Sequence, residues 1–210
     1  MDGAVKTKRP YNTALREKQA RATRDGILDA ARRLLAAGTY SSVTMADVAR
    51  TAGVAYQTVY GIFGTKVQLA EALIASGFAH IPEAMKLFDS LRDSPVDEQS
   101  VRIAAHAVRV ILEPCADLVR FIHESGDPVL LAGYRAREQV RHRSVVESRV
   151  AENLKRTGRL RANLTPSEAV DVIWAMSGAD LYNKLVLERG WTADRYEEWL
   201  ADALVRIVLD

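Results

Sequence analysis

The stretch GVAYQTVYGIFGTK, residues 53–66, gathers Tyr56, Gln57, Thr58 and Tyr60 on what reads as one short helix. That set suits recognition rather than bond-making. A glutamine amide can read a base edge, and a threonine can bond a phosphate or touch a thymine methyl. A tyrosine hydroxyl can reach a phosphate while its ring packs on the duplex edge. Val59 and Phe63 stand four residues apart and would anchor the helix to a core. Ala55 and Gly61 are small enough to let a backbone come close. Glycine at 61 costs about 1 kcal/mol of helix propensity relative to alanine, a cost that close approach would explain. The other reading of the same residues is a solvated surface helix with no partner.

Catalytic chemistry has no comparable cluster. The four histidines, at 80, 106, 123 and 142, lack zinc-ligand partners at helical spacing, and no HExxH, GxSxG or P-loop occurs. The single cysteine, Cys115, reads as a small buried hydrophobe and cannot form an intrachain disulfide. His123 and Glu124 are adjacent and so point different ways on a helix. No enzyme, metal site or cofactor is expected. The basic N-terminus has no apolar segment behind it, and no run reaches the roughly 20 apolar residues of a membrane span. A soluble, cytoplasmic protein with no membrane partner is expected.

The elements that must position these residues are helical. The 210 residues are 48% hydrophobic and 27% charged, enough for a substantial core. No sustained alternation or hairpin signal appears, and an all-α architecture is predicted. Ile27, Ala31, Leu34 and Leu35 form a stripe ending near Gly38. Thr44 opens TMADVARTAG, and Gly53 supplies the turn before the 55–62 helix, giving a helix-turn-helix pattern. Thr65 with Gln68 and Thr165 with Glu168 read as capping boxes. Further helices are expected at 66–81, 97–112, 115–125, 128–157, from 166 to about 188, and from Thr192 through Ile207. Charge is polarised along the chain. Residues 1–66 carry eleven bases against five acids, a net of +6, and the remainder nets −4. A basic lobe fits a polyanion partner or a solvated basic face. The expected organisation is a basic flexible arm at 1–15, a small helix-turn-helix unit at 16–65, and a larger helical domain at 66–210.

Residues 27–73, with the frame Gly-Val-x-x-x-Thr-x-Tyr-x-x-Phe-x-x-Lys-x-x-Leu from Gly53 to Leu69, resemble the TetR family of transcriptional regulators. The resemblance implies a dimeric, ligand-responsive protein, most often a repressor, acting on a pseudo-palindromic double-stranded DNA operator. By position, Tyr56, Gln57 and Thr58 match base- or phosphate-contacting sites of the family. Thr44, Tyr60 and Lys66 match phosphate-contacting sites. Ala55 and Gly61 complete the candidate DNA surface. Gly61 departs from the larger contacting residue common there, and Tyr56 is bulky where small or polar residues are common.

The C-terminal text also resembles one branch of the family, in which the last two helices pair with a second subunit. This implies a homodimer through Leu181, Leu185, Tyr196, Trp199, Leu200 and Ala203. The alternative is that these aromatics complete the core of one subunit. The middle helices would enclose a small-molecule effector, expected to be fairly hydrophobic, with candidates His106, Arg109, Phe121, Tyr134, Glu138 and Trp174. Each has an alternative place in the core or on the solvated surface. The rival overall reading is a helical scaffold whose basic N-terminus contacts an acidic protein.

Overall fold

Helix starts in this chain are written by short-range capping chemistry. Four reciprocal boxes, Thr44–Asp47, Thr65–Gln68, Asp97–Ser100 and Thr165–Glu168, each satisfy amides that a helix leaves open at its N-terminus. The computed structural model describes residues 13–91, 94–141 and 159–209. Most of the expected N-terminal arm, His142 and the second half of the expected 128–157 helix lie outside them.

In order, the helices are α1 Thr13–Ala37, α2 Met45–Ala52, α3 Tyr56–Phe63, α4 Lys66–Gly77, α5 Ile81–Ser90, α6 Glu98–Leu112, α7 Ala116–Ser125 and α8 Pro128–Arg141. Then come α9 Pro166–Met176, α10 Ala179–Tyr182 and α11 Ala193–Val208. The chain of α10 runs on into a π-helical turn, Asn183–Glu188. Among the described residues there is no strand, only an isolated antiparallel bridge between Leu160 and Leu209. No described helix is long and apolar enough to cross a membrane. The all-helical expectation holds.

Two helices differ from the sequence reading. The 66–81 helix stops at Gly77, and α5, with Pro82 in its first turn, follows as a separate element. The 166–188 helix breaks at Ser177–Gly178. Gly178 is extended (φ −75, ψ 153), and the Ser177 hydroxyl donates to the Trp174 carbonyl at 3.3 Å.

Helices α1 to α4 build one core from Ile27, Ala30, Ala31, Val48, Ala49, Val59, Phe63, Leu69 and Leu73, and Leu118 of α7 enters it from outside. That entry needs Gly77, where an added Cβ would lie 2.1 Å from Leu118 Cδ1. Gly53 takes the left-handed φ of 68° that turns α2 into α3. The larger domain centres on α6 against α11, with Val108, Ile111 and Leu112 packed on Tyr196, Leu200 and Leu204.

The two units are tied at α7. Arg32 of α1 holds the Asp117 carboxylate through Nε at 2.8 Å and Nη2 at 2.7 Å, and Nη2 also donates to the Pro114 carbonyl at 2.6 Å. The Tyr40 ring meets Phe121 edge-on at 5.4 Å.

Candidate nucleic-acid interface

Helix α3 is held from behind by Val59 and Phe63, which are buried in the α1–α4 core. Its outer side carries Tyr56 and Tyr60, 48% and 58% exposed, with rings stacked at 6.3 Å and 21°. Stacking restricts both side chains and holds two aromatic rings half out of the surface. Gln57 is exposed beside them and Thr58 is half-buried. Gly61 is exposed, and an added Cβ there would meet nothing within 4 Å. The chain's own packing therefore does not require glycine at 61. Ala55 occupies the N-cap of α3 and makes no side-chain cap, so no side chain competes for that helix start.

The flanking candidates are partly engaged within the protein. The Thr44 hydroxyl donates to Asp47 Oδ2 at 2.6 Å and accepts from the Asp47 amide at 3.1 Å. The Thr44 hydroxyl, and after it the Thr44 amide donating to Oδ2 at 3.1 Å, hold the Asp47 carboxyl below the usual carboxylate range. Lys66 Nζ donates to the Tyr40 carbonyl and stands 4.3 Å from the centre of the Tyr40 ring. Burial lowers its pKa below the ordinary lysine value. A phosphate contact through Lys66 therefore competes with the Tyr40 turn. Arg24 of α1, not singled out by the sequence, places its guanidinium 5.0 Å from the centre of the Phe63 ring, beside the end of α3. No local pattern signals that contact.

The six effector candidates do not form one group. His106 and Arg109 lie on the outer seam between α6 and α11. His106 Nδ1 is 3.0 Å from Glu197 Oε2, and Arg109 bonds Glu113 at 3.0 Å, Glu197 at 3.2 Å and also Asp194. Burial works against the Arg109 charge, but these carboxylates outweigh it and raise its pKa. Phe121 is core, packed with Ala70, Ile74, Ile122 and Leu130. Tyr134 is half-buried and meets His123 edge-on at 5.2 Å. Glu138 is half-buried on α8, and Trp174 is exposed on α9.

Two of the interface candidates need correction. Tyr196 and Leu200 are 0% exposed within a single subunit and cannot touch a partner. Tyr196 sits under Tyr182, rings 4.8 Å apart, and burial raises the pKa of both phenols, Tyr182 to about 12. Leu181, Leu185 and Trp199 are only partly buried against the same core, and Ala203 is half-buried.

Residues 27–73 match the family model described as bacterial regulatory proteins, tetR family. Over 71 residues, 34% of this chain, the sequence is 39% identical to the HTH-type transcriptional regulator AlkX of Mycobacterium tuberculosis. That match spans only 29% of the length of AlkX. The fold is similar to NalD, the secondary repressor of the MexAB-OprM multidrug efflux pump in Pseudomonas aeruginosa, with a TM-score of 0.66 at 21% identity over 90% of this chain and 98% of that one. It is also similar to the SmeT–triclosan complex, with a TM-score of 0.68 at 20% identity over 90% of this chain and 92% of that one. SmeT is described as the repressor of the Stenotrophomonas maltophilia multidrug efflux pump SmeDEF. Residues 27–73 are thus similar in sequence to the helix-turn-helix region of the tetR family of bacterial regulatory proteins, and they are carried on a fold shared with NalD and SmeT along nearly the whole chain.

Proposed function

We propose that the chain is a cytoplasmic repressor that binds a pseudo-palindromic operator as a homodimer and is released by a small, fairly hydrophobic effector. Each subunit lays α3 in a major groove, and the two-fold symmetry of the dimer is mirrored in the operator half-sites. The observation that carries this reading is the outer face of α3: a stacked, exposed Tyr56–Tyr60 pair, exposed Gln57 and an unfilled position at Gly61, above inward-facing Val59 and Phe63. Gln57 reads base edges, with Thr58 beside it. Tyr56, Tyr60, Thr44 and Lys66 contact the backbone. Dimer contacts use the partly buried Leu181, Leu185, Trp199 and Ala203, continued by exposed Ile207. The effector acts on the larger domain, and its binding reaches α3 through α4 and α7, which pack against both units. An apolar effector is supported by the triclosan complex of SmeT, a structural neighbour.

The test is fluorescence anisotropy of the full chain on the DNA flanking its own gene, across a salt series. Specific binding with a negative log–log salt slope is expected, and Lys66→Ala reduces that slope by about one. Absence of a specific complex at every salt concentration rejects the regulator reading. An unchanged slope in Lys66→Ala assigns the lysine to the Tyr40 turn alone.

A further inference from the structure

Among the described residues, the larger domain contains one polar group that its own packing does not explain. Asn183 is 6% exposed, and its Oδ1 is closed to solvent with no hydrogen-bond donor among the described residues. Leaving a buried acceptor unpaired costs about 1–3 kcal/mol, whereas a leucine of similar size would avoid the penalty. Of the residues one turn away on either side of Asn183, Ala179 belongs to the apolar core cluster and the partly buried Val186 packs against it. A structural water there would need two to four polar partners, and these neighbours offer none from their side chains.

The backbone at this point is also unusual. Asn183 is the first residue of the π-helical turn. Such turns are rare, appear mostly as single turns, and are frequent at functional sites. Both α10 and the turn pack against α7, where Val119 and Ile122 are buried. At the rim of the same contact, His123 Nδ1 lies 3.3 Å from Asp180 Oδ1, and the His123 ring abuts Tyr134 of α8. Helix α7 thus meets both α10 and the turn that Asn183 opens, with α8 beside it through Tyr134.

We propose that Asn183 Oδ1 is the polar anchor of the effector site, accepting a hydrogen bond from the hydroxyl or N–H of an otherwise apolar molecule held between α7 and α10. This rests on the reading of the chain as an effector-released repressor and narrows the effector class: an apolar body carrying one hydrogen-bond donor. Hydrophobic bulk alone is insufficient.

The experiment compares para-hexylphenol with para-hexylanisole, its methyl ether, which has similar bulk and no donor. Calorimetry on the full-length wild type is expected to give the phenol roughly a fivefold to tenfold advantage, the worth of one neutral hydrogen bond. Asn183→Leu is expected to bind both compounds alike, near the wild-type affinity for the ether. It also melts no lower than wild type without ligand. Equal wild-type binding of the two compounds overturns the anchor while leaving the effector reading intact, and this arm does not depend on how any variant folds. A phenol preference that survives in Asn183→Leu, or a lower melting temperature for that variant, overturns it too. If neither compound binds wild type or releases the operator, the apolar-effector reading falls and the anchor falls with it.

Discussion

Gly61→Ala separates what α3 needs for folding from what it needs for its partner. The glycine lies inside an eight-residue helix, Tyr56–Phe63, without a positive φ, and an added Cβ meets nothing within 4 Å. Alanine therefore fits without strain. It should stabilise the fold by about 0.5–1 kcal/mol through helix propensity and a less flexible unfolded chain. For a chain of this size that is roughly 1–4 °C in melting temperature. DNA affinity is expected to move the other way. If α3 sits in the groove with its backbone close to the duplex at Gly61, the new methyl occupies that gap. A loss of at least about tenfold is expected, near 1.4 kcal/mol. The measurements are thermal denaturation, and anisotropy on a duplex selected by wild type from a random pool. A destabilised Gly61→Ala refutes the inference that the position is open. A stabilised variant that binds DNA as well as wild type refutes close approach and makes Gly61 a forgone contact.

Three further perturbations probe the larger domain. Thr165→Ala removes the hydroxyl that caps α9 and should cost about 1 kcal/mol. The Thr165 amide and then its hydroxyl hold the Glu168 carboxyl below its ordinary value of 4.5. A depressed carboxylate contributes stability that is complete above the unfolded-state pKa and is lost as pH falls through the folded one. The gap in melting temperature between wild type and Thr165→Ala should therefore be steady near neutrality and narrow below about pH 4.5; a gap independent of pH refutes the coupling. Ile207→Glu changes an exposed side chain on α11, so it should leave the subunit folded yet sediment as a monomer, against the dimer proposed for wild type. Tyr196→Ala, in contrast, empties the core and should cost roughly 3–5 kcal/mol. A dimeric Ile207→Glu refutes this placement of the interface.

The parts legible in the sequence were those decided within a few residues. Thr44 with Asp47, Thr65 with Gln68 and Thr165 with Glu168 form their boxes inside one turn of chain, so the pattern carries the structure. Val59 and Phe63 turn inward as an i, i+4 pair must once α3 packs on a core. What stayed hidden depends on distant partners. His106 and Arg109 share a helix face, but whether that face lines a pocket or the surface is decided by Asp194 and Glu197 on α11. Tyr196 and Leu200 carry the composition of an interface, and only the fit of α11 on α6 makes them interior. The break at Ser177–Gly178 and the π turn after it leave no signature in the hydrophobic period, so a helix running to Glu188 looked continuous. Lys66 sits at the positive end of α4 as its position requires, but where its ammonium goes is settled by the Tyr40 turn.

Leu118 gives the molecule a property that its division into two units conceals. The side chain is supplied by α7 yet completes the core of α1 to α4, through the clearance left by Gly77. The DNA-reading unit is therefore not a portable module. A chimera that transplants residues 16–65 alone onto another regulator leaves behind Leu69, Leu73 and Leu118, and with them part of the recipient's new hydrophobic interior. Exchange of specificity by recombination would have to carry α4 and a matching α7 together.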